Sequence, residues 1–167
     1  EDDTLFADYG LSGLSILQLS TEILYQMKEG NKVYLSLDLL PELTQEEIKV
    51  LILKIIARNP YLEARNILEG YIQEEIFTQL LNSININPSL WINKLREEEI
   101  TRIVRQVKDY RFTPKGPKSQ DDGQISCGGI KTHEVNSETM ESKLIKNLFF
   151  SGEILDVQGD SGGYNLQ

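Results

Sequence analysis

The sequence predicts an α+β fold in which a small helical bundle is inserted into a β-rich body. Short strands and one helix come first, a mainly helical stretch covers residues 41–109, and the helical period disappears after Arg111. A change of hydrophobic period along the chain separates helical from strand regions. With 167 residues, 40% of them hydrophobic and 26% charged, the chain has the composition of a globular protein that buries a core.

The first 40 residues predict strand, helix and strand. Residues 4–10 have the pattern of a strand that enters a turn at Gly10-Leu11-Ser12-Gly13. Apolar residues at helical spacing predict a helix over 14–28, with Gly30 at its C-terminal cap. Strict alternation then predicts a half-buried strand over 33–39.

The helical bundle begins at a capping box. Thr44 stands three residues before Glu47, ahead of an apolar stripe, and Asn59-Pro60 ends the helix. The spacing predicts three further helices, at 61–69, 73–82 and 97–110.

The region after Arg111 is predicted to return to strands. Residues 112–118 and 124–130 have the pattern of a strand pair, and Leu148-Phe149-Phe150 that of a buried strand ending at Ser151-Gly152.

Composition excludes several functions. A formal net charge of −9 argues against a nucleic-acid surface, so no nucleic-acid partner is expected. Cys127 and His133 are the lone members of their types, which excludes an intrachain disulfide, argues against a metal site and favours a reducing, cytoplasmic compartment. No apolar run is long enough to cross a membrane. No side chain is a convincing proton donor, so catalytic residues stay unassigned.

Two glycine-containing segments are candidate ligand contacts. Glu153, after a strand and Gly152, could accept hydrogen bonds from ribose or ribityl hydroxyls at a sheet edge. For this dipeptide alone, an ordinary turn with an exposed Glu is the better interpretation. Gly162 to Gln167 has the pattern of a glycine-rich helix entry whose N–H groups bind anions, or of a C-terminal tail without a role.

The order of these motifs resembles one protein family, the BaiN/YhiN-like bacterial NAD(P)/FAD-dependent flavoproteins. The motifs are Gly10-Leu11-Ser12-Gly13, Ser126-Cys127-Gly128-Gly129-Ile130, Glu134-Val135-Asn136, Thr139-Met140-Glu141-Ser142-Lys143, Phe150-Ser151-Gly152-Glu153-Ile154-Leu155-Asp156-Val157 and Gly162-Gly163-Tyr164-Asn165-Leu166-Gln167. The resemblance implies part of an FAD-dependent oxidoreductase, NAD(P)H-linked, with a small-molecule substrate.

The resemblance also implies a domain organisation. Residues 1–40 and 110–130 would be the β-barrel-like part of an insert domain, 41–109 its helical insert, and 131–167 an incomplete returning segment of a Rossmann-type FAD domain, carrying its returning strand. The flavin contacts implied are Gly152, Glu153, Asp156, Gly162, Gly163, Tyr164, Asn165, Leu166 and Gln167.

The sequence departs from the family pattern in two respects. Leu14 replaces the usual Pro, and the glycine-rich phosphate-binding unit is absent from these 167 residues. We therefore expect the chain to be a fragment whose partner is the missing N-terminal FAD domain, and to hold no FAD tightly by itself. The alternative is a non-enzymatic helical protein-interaction module. Apolar helices cut from a larger body would also permit homo-oligomers.

Overall fold

The computed structural model describes residues 4–117, 128–157 and 159. Helices and short strands both occur, which confirms the α+β prediction. Within the described residues the named strands form 2 two-stranded antiparallel sheets and no closed barrel. The chain separates into two compact units, residues 1–33 with 114–167, and residues 34–113. The predicted domain boundaries stay a prediction, because compactness alone does not assign a domain type.

The first unit begins with a hairpin of β1 (Leu5–Ala7) and β2 (Gly10–Ser12). Ala7 pairs with Gly10, so the predicted turn at Gly10 to Gly13 was wrong. The turn lies at Asp8 and Tyr9 instead, because Gly10 to Ser12 pair with β1 and therefore have the extended backbone of a strand.

The predicted helix after the hairpin is confirmed as α1 (Leu14–Lys28). Gly30, at a φ of 81°, follows its end and donates its N–H to the Met27 carbonyl at 3.0 Å. Positive φ costs glycine little, which explains the residue at this position.

The second unit is a helical bundle closed by a short sheet. Its elements are β3 (Leu35–Leu37), α2 (Gln45–Arg58), α3 (Glu74–Ser83), α4 (Glu97–Lys108) and β4 (Tyr110–Phe112). The three helices contribute apolar faces to one core, in which Ile48, Phe77 and Ile103 are fully buried. β3 and β4 pair antiparallel, so both ends of this unit are held together.

The capping box at the start of α2 is confirmed. The Glu47 N–H donates to Thr44 Oγ1 at 3.2 Å, and the Thr44 N–H donates to Glu47 Oε2 at 2.9 Å. Hydrogen bonds from the Thr44 backbone and hydroxyl hold the pKa of Glu47 below its usual value. The box satisfies N–H groups that have no partner inside the helix.

Thr44→Ala is expected to lower the free energy of unfolding by about 1 kcal/mol, because it removes the cap acceptor. Urea denaturation measures the change. Thr101→Ala is the matched control, since Thr101 is exposed within α4 and its hydroxyl bonds only to the Glu97 carbonyl. Equal midpoints for the two variants would contradict the role of the cap.

Two similar Asn-Pro turns connect the helices and bind each other. The turns begin at Asn59-Pro60 and Asn87-Pro88. The Ala64 N–H donates to the Leu90 carbonyl at 2.8 Å, and the Ile92 N–H to the Leu62 carbonyl at 2.9 Å. The exchange of equivalent bonds gives the two turns a local pseudo-two-fold relation.

The mutual bonding of these turns corrects the helix predicted over 61–69. This range holds a 3-10 turn at Ala64–Asn66, matched by a second one at Ile92–Lys94. The N–H groups of Ala64 and Arg65 bond to the opposite turn, and are therefore not available for an α-helical ladder.

The end of the bundle differs from the prediction. α4 ends at Lys108 rather than 110, and Tyr110 begins β4. β4 pairs with β3, so the predicted strand pair of 112–118 with 124–130 was wrong for residues 113–117, which are not in a strand. Residues 118 and 124–127 lie outside the described residues.

Candidate functional site

Within residues 128–157, three short segments, at 134–136, 140–143 and 148–150, form a hydrogen-bonded ladder. The middle segment, 140–143, pairs on one side with 134–136 through the Val135–Ser142 bridge and on the other with 148–150 through the Glu141–Phe149 bridge. The Asn136 N–H donates to the Glu141 carbonyl at 2.8 Å, and the Phe150 N–H to the Met140 carbonyl at 3.0 Å. We call residues 139–143 the central clip.

The side chains of the clip add further bonds. Lys143 Nζ donates to the His133 carbonyl at 3.0 Å, and Ser142 Oγ accepts the Leu144 and Ile145 N–H groups. Glu141 Oε1 accepts the Asn147 N–H at 2.7 Å. The Thr-Met-Glu-Ser-Lys motif therefore organises local backbone.

The prediction that 148–150 is a buried strand was wrong. Leu148 is 38% exposed and Phe149 58% exposed, and Phe149 makes one isolated bridge. Among the described residues the segment has a ladder neighbour on one side only, and its apolar side chains stay partly exposed.

A second backbone contact joins the two glycine-containing stretches. The Ile130 N–H donates to the Ile154 carbonyl at 2.9 Å, and the Asp156 N–H donates to the Ile130 carbonyl at 2.9 Å, forming a parallel bridge between Ile130 and Leu155. Parallel pairing requires backbones to lie side by side along their length.

Gly129 permits this approach. A Cβ at this position would collide with the Ile154 carbonyl oxygen and would lie 3.0 Å from the Leu155 carbonyl carbon. Its φ of 150° is also one that L side chains rarely adopt. Both the space and the conformation require glycine here.

The structure brings three of the predicted site residues into one short segment. Gly152, at a φ of 72°, begins a 3-10 turn at Gly152–Ile154. Glu153 lies in that turn and Asp156 follows it, both with exposed side chains. Gly162, Gly163, Tyr164, Asn165, Leu166 and Gln167 lie outside the described residues, so their predicted contacts stay a prediction.

The glycine pair at 128–129 belongs to one of the family motifs but was not among the predicted site residues. The pair stands next to Glu153 and Asp156 only through the Ile130–Leu155 bridge. The available signal was an isoleucine close after glycine in both stretches, directly after Gly129 and two residues after Gly152.

Two further features are absent from the described residues. No group of three or more metal-ligating side chains comes together among them. No helix within 4–117 or 128–157 is long and apolar enough to cross a membrane.

Fold and site together define a class: an α+β chain with a helical unit built on paired turns, and a glycine-rich segment that presents carboxylates. The family model for the HI0933-like protein barrel and H2TH domain matches residues 1–125. The chain belongs to this family, and the resemblance to the BaiN/YhiN-like flavoproteins is confirmed.

Curated relatives match nearly the whole chain. It is similar to 3-dehydro-bile acid delta(4,6)-reductase of Clostridium scindens, 30% identical over 95% of this chain and 39% of the relative. It is also similar to the ribosomal RNA dihydrouridine synthases of Escherichia coli, 27% identical over 99% of this chain and 39% of the relative, and of Haemophilus influenzae, 29% identical over 98% and 38%. The chain thus spans well under half the length of these relatives.

Proposed function

We propose that this chain is one segment of a longer, bacterial, cytoplasmic, FAD-dependent oxidoreductase that takes its electrons from NAD(P)H. The segment supplies the insert domain and one wall of the flavin pocket. Family membership and the 38–39% coverage of the curated relatives support the proposal. The missing wall would come from an N-terminal FAD domain of the same protein.

The observation that carries the proposal is the contact of Gly129 and Ile130 with residues 154–156. The close approach of Gly129 to the Ile154 carbonyl anchors the segment on which the Glu153 and Asp156 side chains are exposed. Exposed carboxylates can accept hydrogen bonds from the hydroxyl groups of a nucleotide cofactor. The backbone at Gly152 is open to solvent, since a Cβ there would have nothing within 4 Å.

These residues would bind and orient the cofactor. Carboxylate oxygens of Glu153 and Asp156 would accept hydrogen bonds from ribityl or ribose hydroxyls, and charge-assisted bonds of this kind are stronger than neutral ones. By the family resemblance, N–H groups of Gly162 to Gln167, which lie outside the described residues, would stabilise negative charge on the cofactor. The flavin supplies the redox chemistry when bound, and the protein supplies binding and electrostatics.

The substrate we propose is a small molecule bound where the insert meets the FAD domain, because pockets favour domain interfaces. The names of the relatives describe a reductase and the formation of a dihydro-nucleoside, which supports reduction as the reaction class. The names of two of these relatives give ribosomal RNA as what they act on, whereas the net charge of −9 argues against an RNA-binding surface within this segment and is the ground for proposing a small molecule here.

The proposal is tested by purifying the protein from its full reading frame beside the 167-residue chain. We expect the longer protein to retain flavin after desalting, with absorbance that NADH or NADPH bleaches under anaerobic conditions, and the shorter chain to retain little. A longer protein without flavin would refute the proposal.

That outcome would favour the second candidate, a protein-interaction module. Tyr61 and Trp91 form an edge-to-face pair with centroids 5.4 Å apart on the paired turns, and are 70% and 50% exposed. Exposed aromatic side chains of this kind are enriched at protein interfaces.

A further inference from the structure

The central clip, residues 139–143, makes none of the proposed cofactor contacts, but it is hydrogen-bonded to the backbone that leads to Glu153. Met140 has a φ of 61° and Asn147 a φ of 65°, a conformation uncommon for residues other than glycine. Such conformations persist where surrounding bonds hold them.

The Glu153 segment is held at both ends. Before Gly152, the Phe150 N–H donates to the Met140 carbonyl at 3.0 Å, and after it the Ile154 carbonyl accepts the Ile130 N–H at 2.9 Å. Glu153 therefore lies between two backbone anchors, which hold the backbone that carries its side chain.

The first anchor depends on a side chain. Glu141 Oε1 accepts the Asn147 N–H at 2.7 Å, which closes the loop between the clip and 148–150 and sets where the latter segment starts. The Ser142 N–H then donates to the Leu148 carbonyl at 2.7 Å. Through its solvent-exposed bond to the Asn147 N–H, the Glu141 carboxylate thus holds the start of the backbone that leads to Glu153.

We infer that Glu141 is a positioning residue for the cofactor contact of Glu153, acting through the Asn147 turn and the Met140–Phe150 bond. This inference rests on the proposed function. In this inference the Thr-Met-Glu-Ser-Lys motif does not contact the cofactor itself. Its role is to position Glu153, which does.

The test is a double-mutant cycle in the longer protein, with Glu141→Ala and Glu153→Gln. Glu141→Ala is expected to raise the FAD dissociation constant about tenfold, because it removes a hydrogen bond to a charged group. In the Glu153→Gln background, Glu141→Ala should raise the FAD dissociation constant less than about twofold, since the two residues act through one contact. Equal fold-changes in both backgrounds would overturn the inference.

Hydrogen exchange of flavin-free protein gives a readout that needs no cofactor. Amides of 147–156 should exchange faster in Glu141→Ala, and at the wild-type rate in Glu141→Gln, whose amide oxygen can still accept the Asn147 N–H. Unchanged exchange in Glu141→Ala would overturn the inference but leave the proposed function standing. If the wild-type longer protein binds no flavin, both the proposed function and the role of Glu141 in flavin binding are overturned.

Two variants complete the design. Glu138→Ala is the matched control, because its side chain is exposed in the same loop, and it should leave exchange and affinity unchanged. Glu141→Asp is the milder variant, to be used if Glu141→Ala fails to fold. Its side chain is one methylene shorter, so we expect exchange rates between those of wild type and Glu141→Ala. Faster exchange of residues 147–156 in Glu141→Asp together with wild-type FAD affinity would overturn the inference.

Discussion

Gly129→Ala is expected to weaken FAD binding by more than about tenfold in the longer protein, because strain of about 1–3 kcal/mol falls directly on the site. The added Cβ would collide with the Ile154 carbonyl oxygen, and alanine strongly disfavours a φ of 150°. Relief requires residues 154–156 to move, which breaks the parallel bridge and displaces the neighbouring carboxylates. Fluorescence titration of apoprotein with FAD measures the loss.

Gly128→Ala is the matched control for the collision. Gly128 also has a positive φ, at 95°, but a Cβ there would have nothing within 4 Å. This variant therefore carries backbone strain without the steric contact, and its FAD affinity should lie nearer to wild type. Equal losses in the two variants would contradict the assigned close approach.

Phe77→Ala is expected to lower the free energy of unfolding of the helical unit by about 3–5 kcal/mol. Phe77 is only 1% exposed and lies on α3 within the core shared with α2 and α4. Its removal loses buried apolar area and leaves a cavity that close-packed neighbours fill only in part. Trp91, the single tryptophan, lies in the same unit, so its fluorescence follows urea unfolding of this unit.

Tyr71→Ala is the control for loss of an aromatic ring outside the core. Tyr71 is 53% exposed in the connection before α3, and surface substitutions of this kind change stability by about 0.5 kcal/mol or less. Similar urea midpoints for the two variants would show that Phe77 does not organise the core.

Helices with strong local signals were predictable from the sequence. α1 and α2 follow from apolar spacing, and the start of α2 follows from the hydrogen-bonding capacity of Thr44 and Glu47. These signals lie within a few residues of the structure that they specify, so no distant partner is needed to interpret them.

Elements defined by distant pairing were not predictable in the same way. Residues 61–69 have helical spacing, but their N–H groups bond to the second Asn-Pro turn. Tyr110 has helical spacing too, yet it pairs with Leu37 in β3. In both cases tertiary hydrogen bonds override a local preference, because a buried backbone group must find a partner.

The candidate site was predictable in its residue types but not in its geometry. Glu153 and Asp156 were named through family resemblance, and the structure shows them in one exposed segment. The contribution of Gly129 appears only once Ile130 bridges Leu155 across the chain. A glycine required by close approach cannot be told from a turn glycine by sequence alone.

The most direct test of the flavin-wall assignment is the FAD dissociation constant of Glu153→Gln, measured by titration of the longer apoprotein beside Glu138→Gln. The account predicts a dissociation constant about tenfold higher for Glu153→Gln, because a charge-assisted bond to the ligand is lost. It predicts no change for Glu138→Gln. Equal affinities for wild type and both variants would contradict the assignment of this segment to the flavin pocket.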